Sequence, residues 1–303
     1  MKRIAILGSI VAAGLMAVGV SAQQGPPPGA GGPPRGNPLP GIGAIEKVSD
    51  NVYKIFGAGG NTTFFVRSDG VVLVDTKLPN NGAAILAKVR EITDKPVTMI
   101  INTHSHPDHL GSNTEIETAR GSVQVVVQAN TAARMATMPS NNKVSQSFQD
   151  RLTLGSGPDQ IDLYWFGPAH TDGDAFIVWR KANVVHTGDV YFATGYPFID
   201  ISSGGTIDGV IGAMDRLLAL GDANTKVIPG HGPLSDLAAA REYRAMLQAV
   251  RDRVSQQKTA GQTLGQVVAA HPSAAFDARW GGGFIKPDQF VEFVYRSVGS
   301  SRR

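Results

Sequence analysis

Asn102-Thr103-His104-Ser105-His106-Pro107-Asp108-His109-Leu110-Gly111 sets three imidazoles and one carboxylate within the six residues His104 to His109. The chain has seven histidines in 303 residues, so three in one hexapeptide is a poor match to a loop that is His-rich by chance. Neutral imidazole and carboxylate are the usual ligands of hydrolytic zinc. The preceding run Val97-Thr98-Met99-Ile100-Ile101 reads as a buried strand. A strand ending in this cluster delivers its polar groups at its carboxyl end, where α/β folds usually place their chemistry. His104 and His106 are two apart and point the same way in an extended turn. Pro107 fixes a bend, so Asp108 and His109 can aim at a second, adjacent point.

Working outward toward the start, Met1-Lys2-Arg3 is basic, and Ile4 to Val20 is an apolar run of 17 residues interrupted by Gly8, Gly14 and Gly19. Small residues follow at Val20-Ser21-Ala22, the layout of a secretory signal peptide, 1–22. A membrane anchor is the alternative, but the run is shorter than the ~20 residues that span a bilayer. After cleavage no membrane span is expected, and the export compartment is read as the periplasm. The chain has no cysteine, which excludes disulfides and a cysteine-linked lipid anchor. Residues 23–43 are a Pro/Gly tract with little side chain to bury. This is read as a flexible tether, with a proline-rich docking element as the alternative. Residues 44–303 form the expected catalytic domain. The formal charge is +3, and without Lys2 and Arg3 it is +1; no basic–aromatic interleaving appears, so nucleic-acid binding has no support.

Strand-like runs at Val52–Phe56, Thr62–Val66 and Val71–Asp75 are separated by Gly57–Asn61 and Ser68–Gly70, which are turn chemistry. Asp75, ending an apolar strand, is a candidate outer partner of a ligand or a plain turn residue. A helix is expected over Gly82–Asp94, with Ile85, Leu86, Val89 and Ile92 on one face. Residues 138–160 are less regular and read as a substrate-facing insertion or an ordinary surface loop. The second half repeats the strand-then-helix order, with helices expected over Ile207–Leu220, Leu234–Val254 and Gln289–Val298.

Three further polar residues follow apolar runs and are bracketed by Gly or Pro: His170 in Gly167-Pro168-Ala169-His170, Asp189 in Thr187-Gly188-Asp189, and His231 in Gly230-His231-Gly232. Two zinc ions need about six to seven protein ligands. His104, His106 and His170 would make one site; Asp108, His109 and His231 the other, with Asp189 bridging. The shared water would be a hydroxide near neutral pH, and Asp108 would orient it and pass on its proton.

With these residues in place, THSHPDHLG, GPAHTDGD, HTGD and PGHGP, in that order, resemble the metallo-β-lactamase superfamily over about residues 48–247. The resemblance implies an α/β, four-layer αββα sandwich with two zinc ions per chain in a cleft at one edge; other divalent metals are left open. By motif position it puts the ligands on His104, His106, Asp108, His109, His170, Asp189 and His231. Together with the signal-peptide reading, it points to an exported hydrolase that opens an acyl bond in a small molecule. A β-lactam is the leading single substrate, with lactonase, esterase or glyoxalase-II-like thioesterase activity as the alternative. A non-catalytic metal-binding partner protein is the rival class. Asp189 departs from three-histidine β-lactamases, which typically carry Cys or Ser there. Val190–Pro197 lacks the GCGR-like segment of glyoxalase II, and the tyrosine placement of acyl-homoserine lactonases is not matched. His186 is a candidate for hydrogen-bonding a ligand or a buried strand histidine, and Tyr191, Tyr196 and Phe198 either line the cleft mouth or belong to the core. The oligomeric state is not legible.

Overall fold

The computed structural model describes residues 41–138 and 143–299. The signal-peptide reading and the tether up to residue 40 lie outside the described residues. Seven strands form the first sheet in chain order: β1 Ile45–Lys47, β2 Val52–Ile55, β3 Thr62–Val66, β4 Val71–Val74, β5 Val97–Ile101, β6 Gln124–Gln128 and β7 Gln146–Phe148. The first four pair antiparallel, and β4 to β7 pair parallel. Helices α1 Gly82–Arg90, α2 Pro107–Leu110, α3 Asn113–Arg120 and α4 Ala129–Met135 are interleaved with them.

The second sheet contains β8 Arg151–Leu154, β9 Ile161–Trp165, β10 Ala175–Trp179, β11 Val184–His186, β12 Lys226–Ile228 and β13 Ser235–Asp236, in the order β13-β12-β11-β10-β9-β8. Only β11 and β12 pair parallel in it. The later helices are α5 Ile207–Leu220, α6 Leu237–Thr259, α7 Leu264–Ala269, α8 Ala274–Trp280 and α9 Pro287–Ser297.

Side-chain alternation explains the layers. In β4, Val71 and Leu73 pack with Ile85 and Val89 of α1, whereas Val72 and Val74 face the second sheet. In β10, Ile177 and Trp179 face the first sheet, whereas Phe176 and Val178 join Met214 of α5, Leu247 of α6 and Val294 of α9. Strands apolar on both faces are those covered on both faces, so the order is helices, sheet, sheet, helices: the αββα sandwich. Burying each large aliphatic side chain stabilises the fold by roughly 1.5–3 kcal/mol.

Two expectations are corrected. Residues 143–160 are not merely an irregular insertion: β7 extends the first sheet and β8 the second. Ile92 lies beyond the end of α1 and is exposed. No helix among the described residues is long and apolar enough to cross a membrane.

Parallel register sets the position of the polar strand ends. Val74 pairs with Ile101, so Asp75 and Asn102 leave adjacent strands side by side, and the Asp75 amide donates to the Ile101 carbonyl at 2.9 Å. His186 pairs with Ile228, so Asp189 and His231 each stand three residues past the same rung. The Ala175 amide donates to the Thr103 carbonyl at 2.7 Å, joining the sheets at this end.

Candidate metal centre

His104, His106, His170 and Asp189 offer donor atoms within 4.8 Å of one another, and so do Asp108, His109 and His231. His104 Nε2 lies 3.1 Å from His106 Nδ1, which lies 2.9 Å from His170 Nε2. The outer nitrogen of each ring is committed elsewhere. His170 Nδ1 donates to the Phe198 carbonyl at 2.7 Å, and His106 Nε2 to Asp200 at 2.9 Å. Thr103 Oγ1 donates to Asp75 Oδ2 at 2.8 Å, so it accepts from His104 Nδ1 at 2.9 Å. In neutral rings the three facing nitrogens are therefore lone pairs. Burial first, then neighbouring imidazoles, holds His104 well below its usual pKa, and burial with His106 lowers His170 to about 4. A single proton bonds along one line only, whereas a cation among all three satisfies them together.

The second group is more acidic. His109 Nδ1 donates to Asp75 Oδ2 at 2.7 Å, which turns Nε2 toward Asp189 Oδ1 at 3.1 Å, His231 Nε2 at 3.3 Å and Asp108 Oδ2 at 3.6 Å. Asp108 Oδ2 is 3.2 Å from His231 Nε2. Burial acts to lower His109 and His231, but Asp189 and the nearby carboxylates outweigh it: His109 rises well above its usual range and His231 to about 9. Burial likewise acts to raise Asp108, yet His109 and His231 bring it down to about 2. This pocket attracts a cation, and proton and metal compete for the same lone pairs.

Asp189 lies between the groups, with Oδ2 3.4 Å from His231 Nε2 and 3.8 Å from His170 Nε2. Its Oδ1 is buried without a hydrogen-bond partner, although His109 Nε2 is close. Buried carboxylate oxygens are rarely left so unless something binds them. A Cβ on Gly230 would fall 1.9 Å from that oxygen, so glycine keeps the space open. The residues fit a pair of divalent ions: five imidazoles and two carboxylates, with no sulfur.

The surroundings hold this geometry. Asp75 is fully buried and also accepts the Thr103 amide at 2.8 Å. It sits at φ 60°, and Lys77 at φ 63°, in the sterically costly left-handed region. The Lys77 amine is buried and donates to the carbonyls of Ile55 at 2.9 Å and Gly60 at 3.0 Å. It thereby pins the Gly57–Asn61 turn, where a Cβ on Gly60 would lie 2.3 Å from the His109 ring. Asn61 Nδ2 bonds the Pro229 and Gly232 carbonyls at 2.9 and 3.0 Å, fixing the loop that carries His231.

For three residues the structure takes the packed alternative. Tyr191 and Tyr196 do not line the cleft: both are buried, bonding Ser235 at 2.8 Å and Asp277 at 2.7 Å respectively, with the ring of Tyr196 stacked on Phe290. Their direction depends on tertiary packing that local pattern does not carry. His186 touches no candidate ligand side chain; its ring meets the Asn61 carbonyl at 3.4 Å and accepts the Gly188 amide at 3.1 Å, bracing the turn before Asp189. The mouth is walled by Phe198, as the sequence suggested, 5.8 Å from His106 and 5.7 Å from His170, and by Phe192, stacked on His231 with centroids 5.5 Å apart. Asp200, Phe192, Thr103 and Lys77 carry no signal of their own in the sequence. Asp200 stands in the GYPFID segment, 94 residues from the His106 ring it anchors.

The family model described as "Metallo-beta-lactamase superfamily" matches residues 56–245. The chain belongs to the metallo-beta-lactamase superfamily. As a superfamily member it is a metallo-hydrolase with a His/Asp cluster able to hold metal. A probable metallo-hydrolase of Streptococcus pyogenes is 27% identical over 199 residues, covering 60% of this chain and 84% of that protein. A metallo-beta-lactamase from Pontibacter korlensis superposes with a TM-score of 0.60 at 21% identity, covering 68% of this chain and 99% of that one. The sec-alkylsulfatase Pisa1 from Pseudomonas sp. gives 0.68 at 16%, covering 85% of this chain and 50% of that one. At such identities the superfamily fold is shared, and the substrates of those proteins are their own.

Proposed function

We propose that this chain is an exported, binuclear metal hydrolase that opens an acyl bond. The observation that carries the reading is Asp189, buried between two donor groups with one oxygen unsatisfied. His104, His106 and His170 would hold one ion, Asp108, His109 and His231 the second, and Asp189 both. An all-nitrogen-and-oxygen set of this kind suits zinc. When bound, such a pair lowers the pKa of water and polarises a substrate oxygen.

The residues do the rest. Asp75 and Thr103 hold the rings of His109 and His104 in the tautomers that leave Nε2 bare. Phe192 and Phe198 exclude water from one side of the donors. In hydrolysis of R–CO–X, a carbon–oxygen bond forms to water, the C–X bond breaks, and one water proton passes to X. Asp108, the partly exposed carboxylate of the set, is placed to take that proton and return it. β-Lactams, lactones, esters and thioesters are the candidate substrates. Export rests on the pattern of residues 1–22 and puts β-lactams first among them.

The test is a panel of a chromogenic cephalosporin, lactones, aryl esters and thioesters with zinc-loaded protein. Turnover of one class, abolished by a chelator and restored by zinc, is expected. No turnover of any class would overturn the reading and favour a non-catalytic metal-binding protein.

A further inference from the structure

The charges and rings around the seven donors bear on what can enter. Four carboxylates surround the site: Asp108 and Asp189 within it, Asp75 on His109 and Asp200 on His106. Two divalent ions would add four positive charges, so neutral imidazoles and four carboxylates leave the loaded site without excess positive charge.

Nor does the protein turn a cation toward the donors. Among the described residues, no Lys or Arg side chain bonds to any of the seven donors or lies over Phe192 or Phe198. Lys77 is buried and turned to two backbone carbonyls. Arg134, whose charge is felt by Asp200, is committed to Asp172 through two bonds of 2.9 and 2.8 Å.

The walls are apolar. Phe192 stacks on His231, while Phe198 lies against His106 and His170 and meets Phe293 of α9 at 5.4 Å. The described residues expose four large hydrophobics, Phe56, Ile92, Ile201 and Phe284, and the first, third and fourth lie beside site-bearing segments. Phe56 precedes the turn that packs on His109, and Ile201 follows Asp200. Phe284 precedes Ile285, which bridges Tyr196 in the stretch after Phe192.

We propose that the site selects an uncharged acyl compound with an alkyl or aryl flank, and that Phe192 and Phe198 determine this specificity. The inference rests on the hydrolase reading and moves the choice of substrate from carboxylate-bearing β-lactams toward uncharged esters and lactones.

The experiment compares phenyl butyrate with 4-carboxyphenyl butyrate as substrates of the zinc-loaded protein. Calorimetry alongside it compares the corresponding uncleaved amides, butyranilide and 4-(butyrylamino)benzoate, as ligands. The uncharged member should win by about tenfold or more in both kcat/KM and Kd, because a carboxylate would be partly desolvated beside apolar walls with no cation to pair it. Phe192→Lys should close the gap in both, whereas Phe192→Leu, which keeps the wall apolar and guards against misfolding, should preserve it. Equal or tighter binding of the carboxylated amide would overturn the inference. Were neither ester cleaved, the full substrate panel would decide the hydrolase reading, and the calorimetric pair would still decide the charge preference.

Discussion

Asp75→Asn tests how the site is held. The Asp75 carboxylate accepts three bonds: the Thr103 amide on Oδ1, and the Thr103 hydroxyl and His109 Nδ1 on Oδ2. Asparagine has one accepting and one donating end. The Thr103 amide cannot reverse, so the asparagine oxygen belongs there and its NH2 faces the hydroxyl and the imidazole. Both of those can reverse. His109 then accepts on Nδ1 and carries its proton on Nε2, the atom that faces Asp189, Asp108 and His231. The Thr103 hydroxyl, released from Asp75, is free to donate to His104 Nδ1 and push that ring the same way. Loss of such an outer partner costs roughly 10–100-fold in metal affinity, or about 1.4–2.7 kcal/mol. The larger loss is expected at the pocket of His109, which bonds Asp75 directly. Competition for zinc with a chromophoric chelator resolves the two affinities. A variant binding both ions within about twofold of wild type would refute the tautomer argument.

Two further outcomes follow from the same surroundings. Burial first, eased by Asp75, lowers Lys77 from 10.5 to about 7. The unfolded chain then binds more protons between those values, so the lysine contribution is full above 10.5 and is lost as pH falls toward 7. The stability of metal-free wild type minus that of Lys77→Met, taken with its sign, should therefore rise from pH 7 to 9, by up to about 1.4 kcal/mol per unit. A difference that stays flat or falls in urea melts would contradict the buried, two-carbonyl amine. Gly60→Ala puts a methyl 2.3 Å from the His109 ring, which Asp75 prevents from yielding. It should cost about 1–3 kcal/mol in thermal unfolding and remove the ion at the His109 pocket alone; two tightly held ions in that variant would oppose the account.

The sandwich was legible because its inner strands are apolar on both faces, as in Val71–Val74, and because turn residues mark their ends. The distant residues His170, Asp189 and His231 were legible as strand-end residues between glycines and prolines. Their convergence follows from one parallel pairing, β11 with β12, and from the tie of β10 to Thr103. Edge strands β7 and β8 escaped notice because one solvated face leaves only Gln146–Phe148 and Arg151–Leu154, short and mostly polar. Tyr191 and Tyr196 read as cleft residues because they flank Asp189 in sequence, yet the rings turn into the α6 and α9 layer. Asp200 acts across 94 residues through one contact, and Lys77 through two backbone carbonyls 22 and 17 residues away, which no local pattern encodes.

The central claim is that residues from both sheets enclose a pair of ions. Elemental analysis of purified, zinc-reconstituted and desalted protein counts them directly. Close to two zinc per chain, falling to about one in Gly60→Ala, is the expected result. Fewer than one per chain in the wild type would mean that the seven side chains do not act together, and the hydrolase would lose its chemistry.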